Sequence, residues 1–176
     1  MSIDGNYNLE KGNLFDEIYC YISNLLVLEL HLHRPRVILP KLKQLILNVG
    51  AWQDSCYLAL TPVVSACPNL RIFTIQLIWF APEMIIRKMK KLNMPTHQHL
   101  EVVEIRGYYG RTSDLELAMH FMRIGVALKK LVIDPKSPNA RRLTKEDKIK
   151  EEDAARCCAH QHLKPITPVG LELVIL

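Results

Sequence analysis

Aromatic residues are scarce in this chain of 176 residues, at 7%. A platform for single-stranded nucleic acid needs several exposed rings on which bases stack, so that class of function is set aside. An excess of one charge is also missing. Lys and Arg number 23 against 18 Asp and Glu, a formal net charge of +5. That balance permits an acidic partner without demanding nucleic acid. No apolar run is long and clean enough to predict a membrane span. The most apolar stretch, Leu70 to Ile86, contains Arg71, Gln76, Pro82 and Glu83. The five cysteines, at 20, 56, 67, 157 and 158, are odd in number and show no disulfide framework. They predict a reducing compartment, cytoplasm or nucleus. The first residues show no basic region followed by an apolar run, which predicts no signal peptide. GxSxG, HExxH, paired CxxC and Walker A patterns are all missing. The expectation is a chain that is not an enzyme and carries no cofactor.

Hydrophobic residues make up 49%, enough for a real core in a chain of this length. They are arranged in a recurring pattern, apolar at positions 1, 4 and 6. It occurs as Leu25/Leu28/Leu30, Leu42/Leu45/Leu47, Leu70/Phe73/Ile75, Leu100/Val103/Ile105 and Leu128/Leu131/Ile133. The first step between these units is 17 residues and the next three are 28, 30 and 28. Each motif ends in strict alternation, the period of a short strand.

Helical patterns lie between the strands. Leu14, Ile18, Ile22 and Leu25 share a helix face before the first. Asp54 to Ala66 predicts a helix kinked or broken at Pro62. Pro82 suits a helix start, with Ile85, Met89 and Leu92 on one face. Ser113-Asp-Leu-Glu116 reads as a capping box. The helix it opens is apolar on two faces, through Leu115, Ala118, Met119 and Met122 and through Leu117, Phe121, Ile124 and Leu128. Such a helix is expected to be packed between neighbours. Lys136 to Asp153 predicts a loop and then a solvated helix capped at Thr144. Leu171–Leu176 predicts a final strand.

One strand and one helix per unit of about 28 residues is leucine-rich-repeat geometry, in which neighbouring units must stack to bury their apolar faces. The predicted fold is therefore α/β. It is a short, irregular leucine-rich-repeat solenoid with a parallel concave sheet and convex helices. The asparagine expected after each strand is replaced by His33, Gly50, Ile78, Tyr108 and Lys136. The predicted organisation is a helical segment over 1–24 and irregular repeats over 25–95. A segment continuing the repeats covers 96–135, and a charged loop, helix and strand cover 136–176.

The strand residues that alternate with the core leucines must point to the concave face. The candidate partner-binding residues there are Glu29, His31, Gln44, Asn48, Thr74, Gln76, Glu104, Arg106, Tyr108, Lys130 and Asp134. Val27, Ile46, Ile72, Val102 and Val132 are interspersed among them. This mixture suits recognition of a protein, with Arg106 and Tyr108 as anchors.

Other motifs carry less. Arg106-Gly-Tyr-Tyr-Gly-Arg-Thr-Ser113 joins a strand to a helix N-terminus, where a phosphate or acidic peptide could bind. A glycine turn with a capping box accounts for the same residues. His97/His99, His160/His162 and His31/His33 form HxH pairs, and Cys157-Cys158 lies beside the second. The spacing is not that of a structural zinc site, and no metal is expected. The basic run Arg87-Lys-Met-Lys-Lys91 falls in the last turns of the helix predicted after Pro82, where cations complement the dipole.

Residues His97 to Pro135, HQHLEVVEIRGYYGRTSDLELAMHFMRIGVALKKLVIDP, closely resemble the FBD segment of plant F-box/leucine-rich-repeat proteins. Cys67-Pro-Asn-Leu70 is similar to the same family. So is the C-terminal pattern of Ala155-Arg156, Ala159, Leu163, Pro168 and Leu171–Leu176. The resemblance implies a protein-binding module like the substrate-recognition region of an SCF-type E3 ubiquitin ligase receptor. The implied partner is an unknown protein substrate, with no nucleic acid and no membrane. Nothing in Met1 to Ser23 resembles an F-box, so a Skp-type adaptor is expected only where an F-box is supplied elsewhere. Two alternatives remain open. One is a truncated or decoy fragment without ligase coupling, and the other is a repeat protein that binds an anionic small ligand.

Overall fold

In the computed structural model, which describes residues 2–3, 27–30, 39–51, 57–79, 87–136 and 144–176, every motif with described residues lies at a strand. Five strands form the main sheet: β3 (Gln44–Ala51), β4 (Ile72–Trp79), β5 (Val102–Arg106), β6 (Lys130–Asp134) and β7 (Glu172–Ile175). Two short strands, β1 (Ser2–Ile3) and β2 (Val27–Leu30), extend it at one side. All neighbours pair parallel and in chain order.

The register aligns the motif. Leu45, Phe73, Val103, Leu131 and Leu173 form one row, and Leu47, Ile75, Ile105, Ile133 and Ile175 the next. A strand's side chains alternate between faces, so both rows share one face. From β3 to β6 these residues are buried. Each contributes about 1.5–3 kcal/mol by leaving water.

The helices cover this face. A 3-10 turn, Tyr57–Leu60, runs into α1 (Thr61–Ser65). α2 (Thr112–Ile124) buries Leu117, Ala118, Phe121 and Ile124 in the same core. Phe121 meets Phe73 with ring centroids 5.1 Å apart. α3 (Lys145–His162) is capped by Thr144, whose hydroxyl oxygen accepts from the Asp147 N–H at 3.1 Å. Its buried residues are the small Ala155 and Ala159, so its backbone packs closely while its charged faces stay wet. Among the described residues no helix is long and apolar enough to cross a membrane.

The strand starts share a hydrogen-bond scheme. The Lys43 carbonyl accepts from the Arg71 and Ile72 N–H groups, Arg71 from Glu101 and Val102, and Glu101 from Lys129 and Lys130. The Lys129 carbonyl accepts from Glu172 N–H. A continuous backbone ladder thus ties the units at one end of the sheet.

Four local expectations are corrected. Residues 87–92 are described and are not helical. Their polar groups bond to α2 instead: Arg87 forms a two-pronged ion pair with Glu116, at 2.5 and 2.8 Å, and the Lys90 N–H donates to the same carboxylate. The basic run therefore does not end a helix. Within Asp54 to Ala66, the described part is 3-10 and then α-helical, and Pro62 sits in the first turn of α1, where its missing N–H costs nothing. The α2 cap lies two residues earlier than predicted. Arg111 is the N-cap, and Asp114 reaches back to accept from its N–H at 3.1 Å. Glu116, expected in the cap, is buried and paired with Arg87. The helix predicted over Leu14 to Leu25 lies outside the described residues, as does residue 82.

Candidate functional site

The face of the sheet opposite the helices carries three aligned rows. Gln44, Ile72, Val102, Lys130 and Glu172 form the first. Ile46, Thr74, Glu104, Val132 and Val174 form the second. Asn48, Gln76, Arg106 and Asp134 form the third. Strands about 4.8 Å apart set these side chains side by side across the sheet. Parallel sheets ordinarily have both faces covered. Here the Arg106 and Lys130 side chains remain 44% and 40% exposed, and Ile72 is also exposed.

Charge on this face is organised in pairs. Arg106 Nε donates to Glu104 Oε1 and Nη2 to Glu104 Oε2, both at 2.9 Å. These bonds hold the guanidinium pKa above its ordinary value against the opposing effect of burial, and Asp134 adds to them. Thr74 donates its hydroxyl to Glu104 Oε2 at 3.3 Å. Lys130 faces Glu172 at 3.5 Å. The central band is thus a set of fixed donors and acceptors, flanked by the apolar Ile46, Ile72, Val102, Val132 and Val174. Such a band can read shape and charge on a partner. The carboxylate at its centre, Glu104, is already committed to Arg106 and Thr74.

The candidate residues fall into three groups. Gln44, Asn48, Gln76, Glu104, Arg106, Lys130 and Asp134 lie on this face and are partly exposed. Thr74 lies on it but is 3% exposed, closed over by its neighbours. Glu29 aligns with Ile46 by register, and His31 lies outside the described residues.

Tyr108 is a correction. It is fully buried, because Gly107 has φ +72° and breaks the alternation after Arg106, turning the next residue inward. Its hydroxyl lies 4.0 Å from Cys158 Sγ on α3, and burial pushes its pKa well up. It anchors α3 rather than a partner.

Of the two readings of the loop before α2, the contacts favour a glycine turn with a cap over an anion site. The Asp114 carboxylate already accepts from the Tyr109 N–H at 2.9 Å and from the Arg111 N–H at 3.1 Å, so the helix's own side chain occupies the amides. Arg111 is buried, with its guanidinium 5.0 Å from the Tyr109 ring centre. His97 is buried and hydrogen-bonded, whereas His99, His160 and His162 are exposed. Among the described residues no three metal-ligand types come together.

Sequence reasoning missed the Arg87–Glu116 pair and the role of His97. The first joins residues 29 apart with no helical or strand spacing between them. The second had a signal. His97 stands three residues before Leu100, as Leu39, Cys67 and Gly125 do before Leu42, Leu70 and Leu128.

A family model described as FBD matches residues 96–133, which span β5, α2 and most of β6. No curated protein and no solved structure matches the chain. The match supports the FBD part of the resemblance, and this family is typically found in F-box proteins.

Proposed function

We propose that this chain is a protein-binding module without chemistry of its own, an irregular leucine-rich-repeat arc whose concave face takes a protein partner. The observation that carries this reading is the band of ordered, partly exposed polar groups on one face of a parallel sheet, centred on Glu104 and Arg106. The repeat reading is supported by strands in chain order, a shared core register and the recurring backbone ladder at the strand starts. The FBD match supports a role like that of the substrate-recognition part of a plant SCF-type ubiquitin ligase receptor. In that role the partner is a protein substrate, and a Skp-type adaptor joins only where an F-box is supplied elsewhere.

The test compares the tagged chain with its Arg106→Glu variant. Each is recovered from plant extract and its partners identified by mass spectrometry. The expected outcome is a partner lost by the variant while its melting curve is unchanged. An identical partner profile would remove this face from the interaction. Recovery of a Skp-type adaptor and a cullin would link the chain to a ligase. Binding of other proteins alone would make it a free-standing arc.

A further inference from the structure

On the helical side of the sheet, away from the proposed partner face, α2, the segment before it, Leu58, Ile166 and Pro168 line an open cavity of about 320 Å³. That volume falls at the lower end of the range of small-molecule sites. Its apolar wall includes Met89, Met119, Met122, Leu58 and Ile166. Methionine side chains, unbranched and polarizable, adapt to the outline of a ligand.

The polar groups on the cavity point to one kind of ligand. Lys90 and Lys91 line it and are exposed, and among the described residues neither ammonium has an ion-pair partner. The lining carboxylate, Glu116, is neutralised by the two-pronged pair with Arg87. The cavity is therefore locally cationic. His120 lines it as well and is 3% exposed. Its Nδ1 lies 3.2 Å from Arg123 Nη2, which can only donate. The tautomer this implies carries its proton on Nε2, and that buried nitrogen meets no acceptor among the described residues.

We propose that this cavity binds a small amphipathic anion, an aryl or alkyl body carrying one carboxylate. The methionine wall takes the body. Lys90 and Lys91 attract the carboxylate. This site is independent of the partner face.

The probe is 2-naphthoate, followed through the methyl signals of methionines labelled with carbon-13 in the full chain. Of the six methionines, Met94 is described and does not line the cavity, so it serves as the internal control. The expected result is a saturable shift of the Met89, Met119 and Met122 methyls. The uncharged analogue 2-naphthalenemethanol should bind at least about tenfold more weakly, a difference of about 1.4 kcal/mol. The Lys90→Glu/Lys91→Glu double variant, altered at two exposed positions, should keep its melting curve and lose most of the affinity for naphthoate. Added salt should weaken the binding of wild type. Equal binding of the acid and the alcohol would overturn the proposal, as would no shift at Met89, Met119 and Met122. Tighter binding of an acidic apolar peptide than of naphthoate would overturn it in favour of a protein partner.

Discussion

The imidazole of His97 donates its Nε2–H to the carbonyl oxygen of Cys67 at 2.9 Å, joining the segments that lead into β4 and β5. Its Nδ1 accepts from the Leu100 N–H at 3.1 Å. At the other strand starts a backbone carbonyl is the acceptor instead. Leu39 serves Leu42 in this way, Cys67 serves Leu70, Gly125 serves Leu128 and Pro168 serves Leu171. Substituting a side-chain nitrogen releases the His97 carbonyl, which accepts from the Val126 N–H at 3.2 Å. The His97 N–H donates to the Ile124 carbonyl at 2.7 Å. One residue thus binds its own unit and both neighbours.

His97→Ala is therefore expected to destabilise the chain by about 2–4 kcal/mol, because it strips a buried N–H of its acceptor and a carbonyl of one donor. His97→Asn should recover part of the loss, since its side-chain oxygen can accept from Leu100. Urea denaturation measures both. An alanine variant within about 0.5 kcal/mol of wild type, the scale of an inert surface change, would show that the staple carries no stability.

Gly107 closes β5 with φ +72°. A Cβ there would lie 2.3 Å from the Leu77 carbonyl oxygen of the neighbouring strand. Neither the backbone conformation nor the space admits a side chain. Gly107→Ala should cost more than about 2 kcal/mol, combining left-handed strain of about 1–2 kcal/mol with a displaced strand. The Tyr108 hydroxyl would also lose its place beside Cys158, so near-ultraviolet circular dichroism should change with the melting temperature. An unaltered near-ultraviolet spectrum would contradict the inward turn assigned to this glycine.

Much of this sheet is legible in the sequence because its signal is local. The 1-4-6 pattern at Leu42, Leu70, Leu100 and Leu128 marks each strand, and burial of every second residue fixes which face it turns to the core. Lys130 and Glu104 fall on the opposite face by the same rule. The rule stops where the backbone leaves the strand, which is why alternation puts Tyr108 on the wrong face. Period alone does not reveal a positive φ at Gly107. The helix expected over residues 87–92 fails for a different reason. Its apolar spacing is acceptable, but the buried carboxylate of Glu116 needs Arg87 and the Lys90 N–H as partners. A contact between residues 29 apart outweighs a modest local preference. Nothing in the spacing of Arg87 and Glu116 announces that pair.

His120 sets a pH dependence. Burial, and then the Arg123 charge beside it, lowers its pKa to about 4 from the ordinary 6.5. Between these values the unfolded chain holds a proton that the folded chain does not. Stability therefore falls as pH drops through the window from about 6.5 to about 4, and this contribution levels off below it. The full loss is about 3–4 kcal/mol, from the 1.36 kcal/mol that each pKa unit represents. Denaturation of wild type and His120→Gln between pH 7 and pH 4 separates this term from the carboxylates. The glutamine variant should lose distinctly less stability on acidification. Parallel curves for the two proteins would exclude His120 as the source.

Leu131 and Val132 are adjacent on β6 and turn to opposite faces. Leu131 is fully buried in the core row between Val103 and Leu173. Val132 is half-buried, between Glu104 and Val174 on the proposed partner face. The same substitution at each position tests the register, because a slip of one residue would exchange their surroundings. Leu131→Asn should cost about 3–5 kcal/mol, since it leaves a cavity and buries an amide without partners. Val132→Asn should cost about 1 kcal/mol, the loss of strand preference at a position that solvent reaches. Equilibrium urea denaturation of both variants gives the two values directly. Similar costs at the two sites would mean that both faces of β6 are covered, and the partner surface assigned to Glu104, Arg106 and Lys130 would then be closed. A larger cost at Val132 would reverse the register and place the partner-facing rows in the core.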